Sequence, residues 1–492
     1  MECNWLTDLA HEVQGQLWVD KVNETYRKGD LTKWVSNFHL NQLPCQLEGT
    51  FHYGAFNAGM KMIFPDGNAW MVRFPRVGNV SDGYADEKVA MEVKALSLIR
   101  EQTTIPVPKV HAWGLAAQNT LGLGPFIIMD FVEGVSLTDV LKDSKAERPT
   151  RLMREDIDDG SIEFIYRQLA NFLLQLYKLA FDQIGSLASP RVEANNPMPI
   201  RPLTFKAHDI LHNGGVDTFG FNQAHPLSNF YIGDRYQSFA TATEYFEYVA
   251  GQDLEQLIHQ PNSVDGPYDA KSKLKAFKTL KALIPNFINA KYERGKGKLI
   301  CDDLGLANLI VRSKEDLTVV AVIDLEWSYI GPTQLFATAP WWLLQDRPVN
   351  SAWDCEDNKP PKVATRYFKY LEIFKRVLKE EEAKMPGHEE KEFSNLVQWS
   401  QDSGAMWMHM LLSSGFNDQR SFPFTQLRRH FGLLEWKRCE KEFDNAEQLD
   451  AFVARKVREL EEYYDALDKR EELKALVDSG QMTSEEFIAA FE

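Results

Sequence analysis

The chain has 492 residues, 44% hydrophobic and 26% charged, which allows a large buried core and excludes wholesale disorder. Lys and Arg number 55 against 71 Asp and Glu, and the resulting charge of −16 argues against a nucleic-acid partner or an anionic membrane surface. Five scattered cysteines (Cys3, Cys45, Cys301, Cys355, Cys439) without a CxxC pair indicate neither a disulfide framework nor a thiolate zinc site. That usage favours a reducing compartment. The opening MECNWLTDLAHEVQGQ lacks an apolar signal segment and no run approaches a membrane span, so a cytoplasmic protein is expected.

Residues 1–42 read as a polar helical lead-in without evident chemistry. The runs Met60–Phe64 and Trp70–Phe74 flank Pro65-Asp66-Gly67-Asn68, an Asp-Gly hairpin signal. Period two puts Trp70, Val72 and Phe74 on one face, Met71 and Arg73 on the other. A helix is expected over 82–100, where Val89, Val93, Leu96 and Ile99 form the apolar stripe that also carries Glu92. The apolar run PFIIMDFV (125–132) closes this first lobe, assigned to residues 43–132. Helical spacing follows over 161–180. Residues 190–235 read as an irregular excursion, and helical texture returns over 240–290. Two strand runs, 309–311 and 319–323, are joined by a polar turn; a catalytic lobe is assigned to 133–345 and a helical, aromatic-rich extension to 346–492. Val453, Val457, Leu460, Tyr464 and Leu467 form a short seam, read chiefly as an amphipathic helix packed on its own domain rather than a coiled coil.

The chemistry concentrates at the strand-flanked stretch CDDLGLANLIV and the following VIDLEW. Asp303 and Asn308 lie five positions apart in a loop, and Asp324 follows the second arm of the next hairpin. Phosphoryl transfer in the kinase manner needs this set: a carboxylate to orient and deprotonate the acceptor hydroxyl, and a neutral oxygen plus a second carboxylate for Mg²⁺. Asp302, next to Asp303, is a second carboxylate in the same loop. Glu92, a carboxylate on an apolar stripe, requires a partner, for which Arg73 is the candidate. His208-Asp209 and His212-Asn213 lack flanking strands and are set aside. Cys301 beside two acids is opposed as a nucleophile.

On these residues the chain resembles the aminoglycoside phosphotransferase and choline kinase-like (APH) phosphotransferase family, in particular its fungal branch. WMVRFP, KVAMEVKALSLI, IPVP, PFIIMDFVEGVSL, CDDLGLANLIV, VIDLEWSYIGP and APWWLL occur in family order from about Gly49 to Leu344. The resemblance implies an α+β, bilobal protein-kinase-like fold, with a small mixed N-terminal lobe and a large, mainly helical C-terminal lobe. It further implies ATP and Mg²⁺ as cofactors, with Asp303 as catalytic base and Asn308 and Asp324 as metal ligands. Arg73, standing for the strand lysine, would meet the nucleotide phosphates, paired with Glu92. Met129, Asp130 and Val132 would form the hinge against adenine, and Gly54–Asn57 the nucleotide-covering turn. Two departures stand out: Cys301 replaces a histidine of the wider superfamily, and GTFHYGAFN is a thin glycine loop.

The expected activity is phosphorylation of a small-molecule hydroxyl; carboxylates of the helical region would suit a cationic acceptor such as an amino sugar or amino alcohol, although acidic runs such as Glu380–Glu382 read as solvated surface. The alternative is a catalytically silent, nucleotide-binding scaffold. A protein kinase is disfavoured by DLE in place of DFG and by a missing APE-type segment.

Overall fold

The computed structural model describes residues 4–146, 150–187, 201–215, 237–349, 351–354, 360–386, 390–413 and 418–490. The lead-in forms two helices, α1 (Trp5–Arg27) and α2 (Asp30–Ser36). Their Trp18, Val22, Leu31, Trp34 and Val35 share one core with Met60, Met62, Trp70, Val72 and Phe74 of the first sheet. The Trp18 indole donates to the Leu123 carbonyl at 3.1 Å, so a stretch that reads as polar in sequence is a structural layer of the small lobe.

That sheet comprises β1 (Gln46–Tyr53), β2 (Asn57–Ile63), β3 (Ala69–Pro75), β4 (Val110–Gly114) and β5 (Phe126–Asp130), antiparallel in the order β1-β2-β3-β5-β4. The β2–β3 hairpin turns where expected. Gly67 takes a φ of +88°, which a side chain rarely tolerates, and the Asp66 carboxylate accepts the Asn68 amide at 3.1 Å. Because strand side chains alternate, Trp70, Val72 and Phe74 enter the core while Arg73 emerges on the opposite face. Helix α3 (Asp82–Gln102) crosses behind that face. Its Val89, Val93, Leu96 and Ile99 belong to the core of the large lobe, which fixes the two lobes to each other.

Among the described residues the large lobe is mainly helical. It begins with β6 (Val135–Ser136), α4 (Leu137–Leu141), α5 (Asp159–Lys178), α6 (Phe205–His212), α7 (Ala242–His259) and α8 (Pro267–Leu283). A Cβ on Gly134 would lie 2.5 Å from the Val311 carbonyl, so only glycine lets β6 reach its partner strand. Four short strands follow: β7 (Gly297–Cys301), β8 (Leu309–Val311), β9 (Val319–Val322) and β10 (Ser328–Pro332). β7 pairs with β10, while β6, β8 and β9 form a second ribbon. The chain then runs through α9 (Thr333–Phe336), α10 (Lys362–Glu382), α11 (Glu392–Asp402), α12 (Ala405–Leu412), α13 (Phe422–Phe431), α14 (Leu433–Glu442), α15 (Ala446–Asp478) and α16 (Ser484–Ala489). Tyr367, Leu371, Phe374 and Leu378 of α10 are buried in the large core, which also contains Tyr166 and Ala170 of α5. Full burial of a side chain such as Leu371 or Phe374 contributes about 1.5–3 kcal/mol.

Three expectations change. Most of the 190–235 excursion lies outside the described residues, but residues 205–212 form helix α6, capped by the Thr204 hydroxyl on the Ala207 amide at 3.1 Å. The tail is one long helix packed on α8 and α1, and its inward tyrosine is Tyr463, bonded to the Leu6 amide, whereas Tyr464 is exposed. Glu380, Glu381 and Glu382 are structural. The first two pair with Arg167 of α5, and Glu382, fully buried, caps α11 by accepting the Phe393 and Ser394 amides at 2.9 Å each. No helix among the described residues is long and apolar enough to cross a membrane.

Candidate active site

The expected residues converge where β3, α3 and the strand ends of the large lobe meet. After β7 the chain leaves the ribbon at Asp302, whose amide donates to the Trp327 carbonyl at 3.2 Å. The Asn308 side chain donates to the Asp303 carbonyl at 2.8 Å and closes the loop on itself. The Ile323 amide then donates to the Asn308 carbonyl at 3.0 Å, which brings the segment after β9 against the loop. Asp324, the next residue, has a φ of +56°, a left-handed conformation that Asp tolerates better than most side chains. Hairpin pairing and these backbone bonds thus juxtapose Asp303, Asn308 and Asp324.

Arg73 joins them from the small lobe. One guanidinium nitrogen donates to Asp324 at 2.7 Å, and the other to Glu92 at 2.5 Å and to Glu326 at 3.3 Å. The Arg73–Glu92 partnership expected from sequence is therefore formed, and Arg73 is shared among three carboxylates. Burial opposes its charge, yet Glu92, Asp324 and Glu326 together hold it firmly protonated. Burial pushes Glu92 above the ordinary carboxyl range against the pull of Arg73, and it pushes Asp324 in the same direction. Glu326 goes the other way, because Lys88 and Arg73 outweigh its burial.

The two neighbouring aspartates differ. Asp302 accepts the Tyr329 hydroxyl at 3.0 Å and the Phe205 amide at 3.3 Å, and burial raises its pKa to about 6. Asp303 keeps 43% of its side chain exposed and faces the Arg347 guanidinium at 3.6 Å. Burial raises its pKa, Arg347 counters, and Glu326 and Asp324 add to the upward push. Asp302 is thus engaged by two donors, whereas the Asp303 side chain stays partly exposed. Cys301 accepts the Ser328 hydroxyl at 3.3 Å, and burial pushes its thiol up to about 12, which leaves it a poor nucleophile.

The expected hinge is divided. Met129 and Asp130 end β5; Met129 is buried in the large-lobe core, and Asp130 holds the sheet edge through His111 at 2.7 Å and the Lys109 amide at 3.1 Å. Val132 lies just beyond the strand. The Gly54–Asn57 stretch comprises the β1–β2 turn and the first residue of β2, Asn57, whose side-chain nitrogen donates to Glu326 at 2.5 Å. The set-aside His208 and His212 stack on each other beside Trp327, both with pKa values lowered by burial, so they are packing residues behind the site.

Two residues of the cluster are absent from the sequence reading, Lys88 and Arg347, and Glu326, which sequence alone leaves between a metal contact and a turn cap, is its hub. Lys88 carried a usable signal, since it precedes Glu92 by one helical turn on the same face. Arg347 carried none, because its role comes from stacking over Phe205 and Trp341, 5.1 and 5.5 Å from the ring centroids.

The donor set fits a magnesium ion in kind: Asn308 and Asp324 supply a carboxamide and a carboxylate oxygen, the hard ligands that ion prefers. Among the described residues no cluster of three or more His, Cys, Asp or Glu side chains forms a metal cage. A two-residue oxygen set suits a metal that takes its other ligands from phosphates and water.

No family model matches the chain, and no curated protein matches it. Solved structures with a similar outline include a protein from Ralstonia eutropha assigned as an aminoglycoside phosphotransferase, at 12% identity and a TM-score of 0.41, covering 84% of this chain and 98% of that one. A macrolide 2′-phosphotransferase from Brachybacterium faecium is similar at 13% identity and a TM-score of 0.37, covering 81% and 97%. A microcompartment-associated aminopropanol kinase is similar at 13% and 0.35, covering 86% and 93%. Scores and identities this low leave the functional reading to the chain's own residues.

Proposed function

We propose that this chain is an ATP- and Mg²⁺-dependent phosphotransferase acting on a small-molecule hydroxyl. The observation that supports it most is the convergence of Asp303, Asn308, Asp324 and Arg73, drawn from two lobes, around an accessible carboxylate. Asp303 takes the proton of the acceptor hydroxyl as its oxygen bonds to the γ-phosphorus; the bond from that phosphorus to the β–γ bridging oxygen breaks, and ADP leaves. Asn308 and Asp324 would hold the metal, which when bound would supply charge neutralisation at the phosphates. Arg73, braced by Glu92, would meet the nucleotide phosphates, and the stretch Met129 to Val132 would receive the adenine. The amino sugar or amino alcohol remains one acceptor class to screen. Arg347 beside Asp303 favours acceptors whose reacting hydroxyl has a neutral or anionic flank, and the Glu380–Glu382 carboxylates are engaged elsewhere.

The test is an acceptor screen that monitors ATP consumption, repeated with Asp303→Asn. Turnover should fall about 10²–10⁴-fold, the usual contribution of a general base, with nucleotide binding retained. Full turnover in the variant would remove Asp303 from its role. A second reading, the silent scaffold, draws on the full engagement of Arg73 by three carboxylates; it predicts nucleotide binding indifferent to Mg²⁺ and no ATP consumption with any acceptor.

A further inference from the structure

The most completely buried cation at the site belongs to a residue the proposed chemistry does not use. Lys88 is fully buried on α3, one turn before Glu92. Its ammonium donates to Glu326 at 2.5 Å and to the Asn57 side-chain oxygen at 3.0 Å, and it lies 5.5 Å from the centre of the Trp327 ring. Asn57 completes the triangle with its own bond to Glu326 at 2.5 Å. A buried ammonium is costly unless paired, so this geometry is specified rather than incidental.

Two structural consequences follow from the triangle. Asn57 is the first residue after the β1–β2 turn, and Phe56 within that turn stands edge-on to Trp327 at 5.3 Å. The turn is thereby fastened to the segment that carries Asp324. Second, the Glu326 oxygen bound by Lys88 is the one 3.3 Å from Arg73. Without the ammonium, Arg73 would be the one cation left on this Glu326 oxygen beside the neutral Asn57 amide, and its guanidinium would be drawn from Glu92 and Asp324.

We infer that Lys88 is a positioning residue of the nucleotide site: by holding Glu326 with Asn57 it clamps the β1–β2 turn over the phosphate region and keeps Arg73 aligned. The inference rests on the phosphotransferase reading above. The sequence offers a reason for such a clamp, since the stretch GTFHYGAFN has few glycines, and side-chain bonds from Asn57 add to the backbone bond between Gly54 and Asn57.

The experiment is calorimetric titration of the full chain with Mg·ATP and, separately, with adenosine, for wild type, Lys88→Met, Lys88→Arg and Asn57→Ala. Lys88→Met should weaken Mg·ATP about tenfold, the effect of losing a charge-assisted contact, while adenosine affinity stays within twofold. Lys88→Arg should recover part of the loss. Asn57→Ala leaves no buried charge unpaired and should still weaken Mg·ATP, which preserves the test if Lys88→Met does not fold. Equal loss for ATP and adenosine in Lys88→Met would mean a merely structural role. Unchanged Mg·ATP binding in Lys88→Met, or in Asn57→Ala where Lys88→Met does not fold, would overturn the clamp while the phosphotransferase reading stands. A wild type that binds no nucleotide would end both.

Discussion

Asp303 sits between opposing pulls, and Arg347 is the one most open to experiment. Burial and the neighbouring Glu326 and Asp324 raise its pKa, and the guanidinium 3.6 Å away lowers it. Arg347→Ala removes a downward pull, so the carboxyl holds its proton to higher pH and the ionised base becomes scarce sooner as pH falls. The acid limb of the kcat/KM profile should therefore move to higher pH, and Arg347→Lys should move it less. A limb that stays fixed or moves to lower pH would show that Arg347 does not set the charge of Asp303. Proximity was legible in sequence where spacing carries it, as for Asp303 and Asn308, five positions apart in one loop. It was illegible where distant segments supply the partner: Lys88 meets Glu326 across 238 positions.

At the level of elements, local signals served well. The Asp-Gly turn, the alternation in β3 and the stripe of α3 each depend on neighbours within a few positions, and all three form as read. The acidic run at the end of α10 shows the opposite case. Glu380–Glu382 looks like solvated surface, yet Glu382 is fully buried because the N-terminus of α11 presents two amides to it. Losing charge-assisted bonds there by Glu382→Ala should cost about 2 kcal/mol or more, with Glu382→Gln milder. Thermal unfolding measures it; an unchanged midpoint would mean the cap contributes nothing. Helix α6 was hidden for a related reason: its eight residues are surrounded by Pro-, Asn- and Gly-rich chain, and tertiary packing of His208 on Trp327 supplies what local propensity does not.

For the whole molecule, the two-lobed α+β layout was legible because strands and helices segregate along the chain. The membership of the ends was not. α1 reads as polar, and only the folded chain shows Trp18 and Val22 covering the sheet, while α15 returns to α1 through Tyr463 and the Lys474–Glu12 pair. The site lies where these layers hold the lobes together, with Arg73 of one lobe bound to Asp324 of the other. Whether that junction receives a metal–nucleotide complex is the central claim, and thermal unfolding with ATP, with and without Mg²⁺, for wild type and Asp324→Ala tests it most directly. A ligand at about 100 times its Kd stabilises by about 2.7 kcal/mol, so the wild-type midpoint should rise with ATP only when Mg²⁺ is present, and the rise should vanish in Asp324→Ala. A rise indifferent to metal, or one that survives the substitution, would contradict the account.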